Sequence, residues 1–411
     1  MSDSDQMLPA ENMTHEQAIA LAKSLAPTIR QRANQAESLR RQPDETIEDL
    51  VRSGLLRLLT PKRWGGHELS FDTVVHTALE IAKSDASTGW CASLFMIHAW
   101  LLALFPEAAQ HEVWASNPDA LISTSLFPAG RAREDEGGHR LSGNWGWASA
   151  VDSCHWIMLG AQVAPSAQDR VPHTRAFLLP RQDCQIQQTW SVAGLAASGS
   201  NNVLVEDVFV PLERTVPLQA LLQGSAPGLD LNTGPLYQVP LAIAFPSVLP
   251  ATILGAALGA YEIWREASRG KLRQPMPLSA TALARLQIRL AETSAELDAA
   301  HLLLLRALDV LRSPATITPA LHNRTRRDYA FIVRLCLNAI ERLYLNSGAG
   351  SNYMSNPLQR YWRDIHAMAG HTGVNFDAAG EAFGRSELDL PPDPHDIFAP
   401  SKAADRTNSA T

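Results

Sequence analysis

Apolar residues at helical spacing dominate the first hundred residues of the chain. After Thr14 the near-helical series is Ala18, Leu21, Leu25 and Ile29. Thr14 and Gln17 have the spacing of a capping box, which predicts a helix start at this point. Further helices are predicted over 44–58, directly after Ser70, and over 88–105. Residues 13–118 are therefore predicted to form an N-terminal helical domain.

Residues 119–216 have a different pattern, with short runs that are rich in strand-forming residues. Strands are predicted over 121–126, 139–145, 155–163, 176–179 and 203–210. Turn signals separate these runs, for example Gly137-Gly138 and Pro180. The spacing predicts a compact central β domain, either a barrel or a sandwich.

Residues 217–240 are rich in Gly, Pro, Ser and Asn, and are predicted to be a connection. Long helical patterns follow over 248–269, 278–312, 318–347 and 357–383, where Ala, Leu and Arg are frequent. Residues 241–390 are therefore predicted to form a C-terminal four-helix bundle. The predicted fold class is α+β, in the order helical domain, β barrel or sandwich, helical bundle.

Composition excludes several classes of protein. The net charge of −7 over 411 residues gives no indication of a nucleic acid or an anionic membrane surface as partner. The four cysteines form no C-x-x-C pair, and no H-E-x-x-H motif is present, so no metal site is predicted. The first twelve residues are polar and acidic, unlike a signal peptide, and no apolar run reaches about 18 residues. We expect a cytoplasmic protein without a membrane partner.

The segment from Asn356 to Asn375 carries the densest group of reactive side chains. On a continuous helix, His371 and Asn375 would be one turn apart and share a face. His366 would lie about 140° around the helix from His371. An imidazole titrates near neutral pH, so His371 is a candidate for accepting or holding a substrate proton. The adjacent pair Arg363-Asp364 is expected to form structural ion pairs.

Three other segments carry candidate site residues. Trp90 and His98 are eight residues apart, or about 12 Å and roughly 80° on a helix, so both can border one cavity. The candidates in the β domain are Thr124, Trp147, Ser149 and Ser200. Each residue also has a purely structural interpretation: a core histidine for His98, an interface histidine for His371, and ordinary strand or turn residues for the others.

The order of domains, and Gly199-Ser200-Asn201 before a run that ends in Val210-Pro211, resemble the acyl-CoA dehydrogenase fold. In detail, the segment 141–149 and the histidines at 98 and 371 resemble the two-component flavin-dependent aromatic monooxygenases. The likeness spans about residues 15–385. It implies an oxygenase component that uses reduced FMN or FAD and O₂, through a flavin C4a-hydroperoxide, to hydroxylate a phenol- or indole-like ring. The flavin would lie between the β domain and the bundle.

The resemblance also implies a role for each candidate. His371, His98 and Ser149 would be catalytic, with Ser149 hydrogen-bonded to flavin N5; which histidine is the base stays open. The cofactor-binding residues would be Trp90, Trp147, Ser149, Ser200 and Asn375, with Trp147 packed on the isoalloxazine. Thr124, His98 and His371 would contact the substrate. No metal is expected.

No G-x-G-x-x-G follows a predicted strand, so the chain is not expected to bind a nicotinamide itself. A separate NAD(P)H-dependent flavin reductase is the expected partner, and the resemblance implies a homotetramer. The alternatives are a desaturase of the acyl-CoA dehydrogenase type, with Glu381 as the nearest candidate base, a flavin N- or S-oxygenase of the same fold, and a non-catalytic binding protein. A desaturase reduces bound oxidised flavin with substrate alone, whereas an oxygenase needs reduced flavin and oxygen.

Overall fold

Helices at both ends of the chain enclose a central sheet in the computed structural model, which describes residues 13–165, 173–273, 275, 278–396 and 398–400. The polar segment before residue 13 lies outside these ranges. The helices are α1 His15–Leu39, α2 Asp44–Arg52, α3 Phe71–Ala82, α4 Ala86–Leu102, α5 Glu107–Trp114, α6 Leu218–Gln223, α7 Leu241–Ala244, α8 Val248–Leu272, α9 Ala280–Arg312, α10 Pro319–Leu345, α11 Pro357–Ala369 and α12 Phe376–Glu387. The strands are β1 Ile122–Asp135, β2 Gly138–Ala148, β3 Trp156–Val163, β4 His173–Pro180, β5 Gln185–Gln187, β6 Asn201–Pro211 and β7 Thr215–Pro217.

The amino-terminal helices begin largely where the sequence predicts. Thr14 caps α1 through the predicted capping box: its hydroxyl accepts from the backbone N–H of Gln17, and the Gln17 side chain accepts from that of Thr14. The helix predicted over 44–58 is wrong in its length. It ends at Arg52, because Gly54 takes a left-handed conformation with φ 75° before a short 3₁₀ turn.

The seven strands form one mixed sheet in the order β5-β6-β2-β1-β3-β4-β7. β1 and β3 are parallel, and the other neighbours are antiparallel. The edge strands β5 and β7 have three residues each and were not predicted, since so short a run shows no alternation. β1 shifts register between Ser125 and Gly130, and β2 shifts between Trp145 and Ala148. Both irregularities lie beside the candidate site residues of the sheet.

The prediction of one helix over 357–383 is wrong. α11 ends at Ala369, and α12 begins at Phe376 after a short 3₁₀ turn. Two side chains compete with helical hydrogen bonding in this break: His371 accepts from the backbone N–H of Gly373, and Asn375 accepts from that of Ala378, both at 3.0 Å. His371 and Asn375 therefore do not share a helical face, and neither lies on a helix with His366.

Helix α4 lies at the centre of the molecule, and each of its residues is buried. It packs against α3, α8, α11 and β1. The segment Leu241–Leu272 is long and apolar enough to cross a membrane, but 89% of its most apolar window is buried inside the fold. It is therefore the core helix of the bundle, and it holds α4 from one side.

Candidate active site

Three elements meet around the indole of Trp90. Trp90 lies on α4, Ser149 directly follows β2, and Ser200 directly precedes β6. The Trp90 Nε1–H donates to Ser149 Oγ at 3.1 Å, and Ser149 Oγ lies 2.8 Å from Ser200 Oγ. The structure thus brings together three residues that are far apart in the sequence.

The position of Trp90 depends on charged groups at the start of α4. Asp85 caps the helix, accepting from the Thr88 N–H at 2.8 Å, and Arg360 of α11 lies 3.6 Å from the same carboxylate. Burial raises the pKa of Asp85, and the nearby Arg360 guanidinium opposes that rise. This contact joins α4 to the helix that leads to His371.

His371 lies against Trp90, with the two rings edge to face and their centroids 5.7 Å apart. Its Nδ1 accepts a hydrogen bond from the Gly373 N–H, which can only donate. Burial lowers the pKa of His371 to about 4, so the ring is neutral at pH 7. In the neutral ring the proton is therefore on Nε2, and that nitrogen is a hydrogen-bond donor.

His98 has the opposite arrangement. Its Nδ1 lies 2.7 Å from the carbonyl oxygen of Ile122, which can only accept, so Nδ1 carries the proton. Burial lowers the pKa of His98 to about 4 as well. Its Nε2 is therefore an unprotonated acceptor. The ring is stacked on Phe245, with centroids 5.7 Å apart, which fixes its plane.

Thr124 lies two residues beyond Ile122 on β1, so the two side chains are on the same face of the strand. The Thr124 hydroxyl oxygen is buried and has no hydrogen-bond partner among the described residues. A buried hydroxyl without a partner costs about 1–3 kcal/mol, so such groups are rare unless a ligand or water satisfies them. This observation agrees with the prediction that Thr124 contacts a bound molecule.

Two residues predicted to bind the cofactor, Trp147 and Asn375, lie outside the buried group around Trp90. Trp147 is 72% exposed, and its φ of 61° is unusual for a residue other than glycine. The core position of β2 belongs to Trp145, whose indole donates to the Gly160 carbonyl. Asn375 caps α12. The contacts of Trp147 and Asn375 with a flavin stay predictions.

Arg363 forms the predicted structural ion pair, whereas Asp364 has a backbone hydrogen bond in its place. Arg363 pairs with Glu37 of α1 at 2.5 Å, and Asp364 accepts from the Leu195 N–H at 2.6 Å. Burial raises the pKa of Asp364 to about 7. His366 lies outside the group around Trp90 and pairs with Glu341 at 2.9 Å.

Two residues that the sequence analysis did not assign contact the candidate site residues. Ser198 is 1% exposed and its hydroxyl oxygen lies 2.7 Å from that of Ser200, and Phe245 stacks on His98. Ser198 could have been found from its place two residues before Ser200. Phe245 gave no signal, because its contact with α4 spans about a third of the chain.

These side chains fit a flavin. An isoalloxazine is a flat, largely apolar ring system with hydrogen-bonding atoms along its edge, and it suits aromatic walls with a few fixed polar groups. Trp90 supplies such a wall, and Ser149, Thr124 and His371 supply neutral hydrogen-bonding groups. Glu381, the candidate base for a desaturase, is exposed on α12 and lies 3.4 Å from Arg385. This carboxylate therefore gives no support to the desaturase alternative.

Comparison with known proteins points to one kind of enzyme. Residues 11–117 and 247–376 match the family descriptions "Acyl-CoA dehydrogenase, N-terminal domain" and "Acyl-CoA dehydrogenase, C-terminal domain". The chain is 36% identical over 380 residues to the flavin-dependent monooxygenase, oxygenase subunit HsaA, of Rhodococcus jostii (strain RHA1), covering 90% of this chain and 97% of the relative.

Two further similarities agree with this match. The FADH(2)-dependent resorcinol hydroxylase, oxygenase component, of Rhizobium sp. (strain MTP-10005) is 35% identical over 400 residues, covering 93% of this chain and 97% of the relative. The crystal structure of 3-HSA hydroxylase from Rhodococcus sp. RHA1 superposes with a TM-score of 0.87 at 34% identity, covering 92% and 99%.

Proposed function

Because the chain belongs to the oxygenase components of two-component flavin-dependent monooxygenases with the acyl-CoA dehydrogenase fold, we propose that it hydroxylates a phenolic ring with reduced flavin and O₂. The observation that carries the substrate class is the fixed orientation of His98. Its unprotonated Nε2 and the unpartnered hydroxyl of Thr124 support the proposal, because a phenol O–H donates to just such acceptors.

His98 is the proposed proton acceptor. A phenol ring becomes more electron-rich as its O–H proton moves toward a base, and electron density favours attack by an electrophilic oxygen. The Ile122 carbonyl and Phe245 hold the imidazole in one orientation, so no reorganisation is needed when the proton moves. A general base of this kind contributes roughly 10²–10⁴-fold.

Trp90, Ser149 and His371 are proposed to hold the flavin edge. When bound, reduced flavin supplies the electrons that activate O₂. Ser149 would hydrogen-bond N5, Trp90 orients the Ser149 hydroxyl, and His371 offers an Nε2–H donor beside them. Ser200 fixes the Ser149 hydroxyl through the contact between their oxygen atoms.

Two further residues are proposed to contact the flavin. Trp147 would cover the ring from its exposed position on β2, and Asn375 would reach the cofactor from its position at the start of α12.

The relatives are named as oxygenase components, so a separate reductase supplies the reduced flavin. We further propose that this reductase uses NAD(P)H, that the assembly is a homotetramer and that the protein is cytoplasmic. Large apolar side chains are exposed on the bundle, which supports assembly: Leu302 on α9, Leu345 at the end of α10, and Tyr353 and Met354 before α11.

The test uses the purified chain with a flavin reductase, NADH, FMN or FAD, and a panel of phenols under ¹⁸O₂. We expect a product that gains one labelled oxygen atom, and no NADH oxidation when the reductase is omitted. Chemically reduced flavin should replace the reductase and NADH. Bleaching of oxidised flavin by substrate in the absence of oxygen and reductase would instead identify a desaturase.

A further inference from the structure

A chain of three buried serine hydroxyls leads away from the proposed flavin edge. Ser149, Ser200 and Ser198 are 7%, 3% and 1% exposed, and neighbouring hydroxyl oxygens lie 2.8 and 2.7 Å apart. The Trp90 Nε1–H can only donate, so it occupies one lone pair of Ser149 Oγ. The remaining lone pair and the proton of Ser149 must serve both Ser200 and whatever binds in the site.

Two directions of hydrogen bonding are compatible with the distances between the oxygen atoms. In the first, Ser198 donates to Ser200, Ser200 donates to Ser149, and the Ser149 proton points into the site. In the second, Ser149 donates to Ser200, Ser200 donates to Ser198, and Ser149 presents a lone pair to the site. A hydroxyl hydrogen rotates to suit its partners, so the chain can change direction without moving a heavy atom.

The two redox states of a flavin need opposite partners at N5. In oxidised flavin N5 carries no hydrogen and accepts, whereas in reduced flavin it carries a hydrogen and donates. We infer that the Ser149–Ser200–Ser198 chain reverses its hydrogen-bond direction with the redox state of the flavin, and that Ser200 is the positioning residue that permits the reversal. This inference rests on the proposed function, since it requires flavin N5 to face Ser149.

The substitution Ser200→Ala tests the reversal. Without the Ser200 oxygen, the Ser149 proton loses its alternative acceptor, so Ser149 remains a donor toward the site. Affinity for oxidised flavin should be largely retained, whereas affinity for reduced flavin should fall roughly threefold to tenfold, the net contribution of one lost hydrogen bond. Both dissociation constants are measured by titration, the reduced one without oxygen, so the readout does not depend on turnover.

Two variants serve as controls. Ser200→Thr keeps the hydroxyl and should restore the wild-type ratio of the two affinities. Ser123→Ala removes a buried hydrogen bond of 2.7 Å to the backbone carbonyl of Ser149, but leaves the hydroxyl chain intact. It should change both affinities by the same factor. A Ser200→Ala protein whose ratio equals that of wild type, or a Ser200→Thr protein that behaves like Ser200→Ala, overturns the inference.

A second measurement needs no flavin. The Trp90 indole N–H signal in a ¹⁵N-labelled protein, assigned with Trp90→Phe, reports on its acceptor Ser149. The chemical shift of this signal should change in Ser200→Ala and stay the same in Ser123→Ala. An unchanged signal in Ser200→Ala also overturns the inference. If the wild type binds neither flavin form, the proposed function and this inference fail together. If it hydroxylates normally and only the ratio is unaffected in Ser200→Ala, the inference alone fails.

Discussion

At the scale of single residues, two histidines whose pKa values are both lowered by burial have opposite hydrogen-bonding roles. Burial lowers the pKa of both His98 and His371 to about 4, so charge does not distinguish them. Their Nδ1 partners do: a carbonyl oxygen for His98 and a backbone N–H for His371. His98 is therefore the better candidate for the base that the sequence analysis left open.

The substitution His98→Phe is expected to lower the rate of hydroxylation roughly 10²–10⁴-fold. The phenyl ring preserves the shape that stacks on Phe245 but removes the acceptor nitrogen, so flavin affinity should be kept. The measurement is single-turnover product formation with pre-reduced flavin. His98→Gln, which retains an acceptor oxygen, should recover part of the rate. Loss of the reaction in His371→Phe, with His98→Phe unimpaired, would show that the roles are reversed.

Ser149→Ala is expected to uncouple oxygen use from hydroxylation. It removes the hydrogen bond that we propose between Ser149 and flavin N5 and leaves His98 in place, so hydrogen peroxide release should rise roughly threefold to tenfold relative to product. Peroxide and product are both measured per NADH consumed, with the reductase in excess. Ser123→Ala is the matched control, and equal uncoupling in both variants would contradict a specific role for the Ser149 hydroxyl.

At the scale of elements, the break between α11 and α12 places His371 beside Trp90. A helix continued through Gly370 would leave His371 with helical geometry, whereas the observed backbone at His371 is extended with ψ 133°. Two side-chain caps, from His371 and Asn375, stabilise the break. The cap that Asn375 forms gives this residue a structural role, which is independent of its predicted contact with the flavin.

Asn375→Ala is expected to cost about 1 kcal/mol of unfolding free energy, because the first turn of α12 loses its cap. Asn356→Ala removes a comparable cap from α11, where Asn356 accepts from the Leu358 N–H at 3.0 Å. Chemical denaturation should give similar losses for the two. If Asn375 also binds flavin, only Asn375→Ala should weaken flavin binding; equal flavin affinity in both variants would leave Asn375 as a cap alone.

At the scale of the whole molecule, the exposed apolar side chains on the bundle predict a partner surface. We expect light scattering at micromolar concentration to give four times the chain mass of 44.8 kDa. Leu302 is 67% exposed in the single chain. Leu302→Glu should weaken the assembly, because it would place a charge in the proposed apolar interface. The exposed Glu381→Gln is a control on another helix. A wild-type monomer would contradict the expected tetramer.

Stability is expected to fall in mild acid. His98 and His322 are buried, and burial lowers the pKa of each to about 4, against about 6.5 in the unfolded chain. The unfolded state takes up these protons as the pH falls through 6.5, but the folded state does not until about pH 4. The stability is therefore complete above pH 6.5 and is lost progressively below it, by up to about 3 kcal/mol for each histidine.

Thermal melts between pH 7 and pH 5 test this expectation. His322→Gln should flatten the decline of the melting temperature, because one of the protons that the buried histidines take up on unfolding is removed. His111→Gln, on the exposed face of α5, should leave the slope unchanged. A slope that is identical in wild type and His322→Gln would show that the acid sensitivity arises elsewhere.

The sequence by itself determined the class of fold and supplied the candidate residues of the site. Amphipathic spacing and caps are local properties, so the order of helices, strands and helices was readable, as was the start of α1 at Thr14. Trp90 and Ser149 were proposed as site residues because each lies in a local segment that resembles the family. The helix ends at Arg52 and Ala369 were missed, since glycine and side-chain caps ended each helix within a pattern that continued to look helical.

Only the tertiary structure decided which residues meet and what each nitrogen or hydroxyl can do. Hydrogen-bond direction depends on the partner, and the pairs Trp90–Ser149, His98–Ile122 and Ser149–Ser200 join residues that are 24 to 59 positions apart in the sequence. The same holds for Trp147, whose exposure follows from a shift in strand register. A sequence names the donors and acceptors of a site, but the packing of distant elements sets which of them face one another and in which sense each hydrogen bond runs.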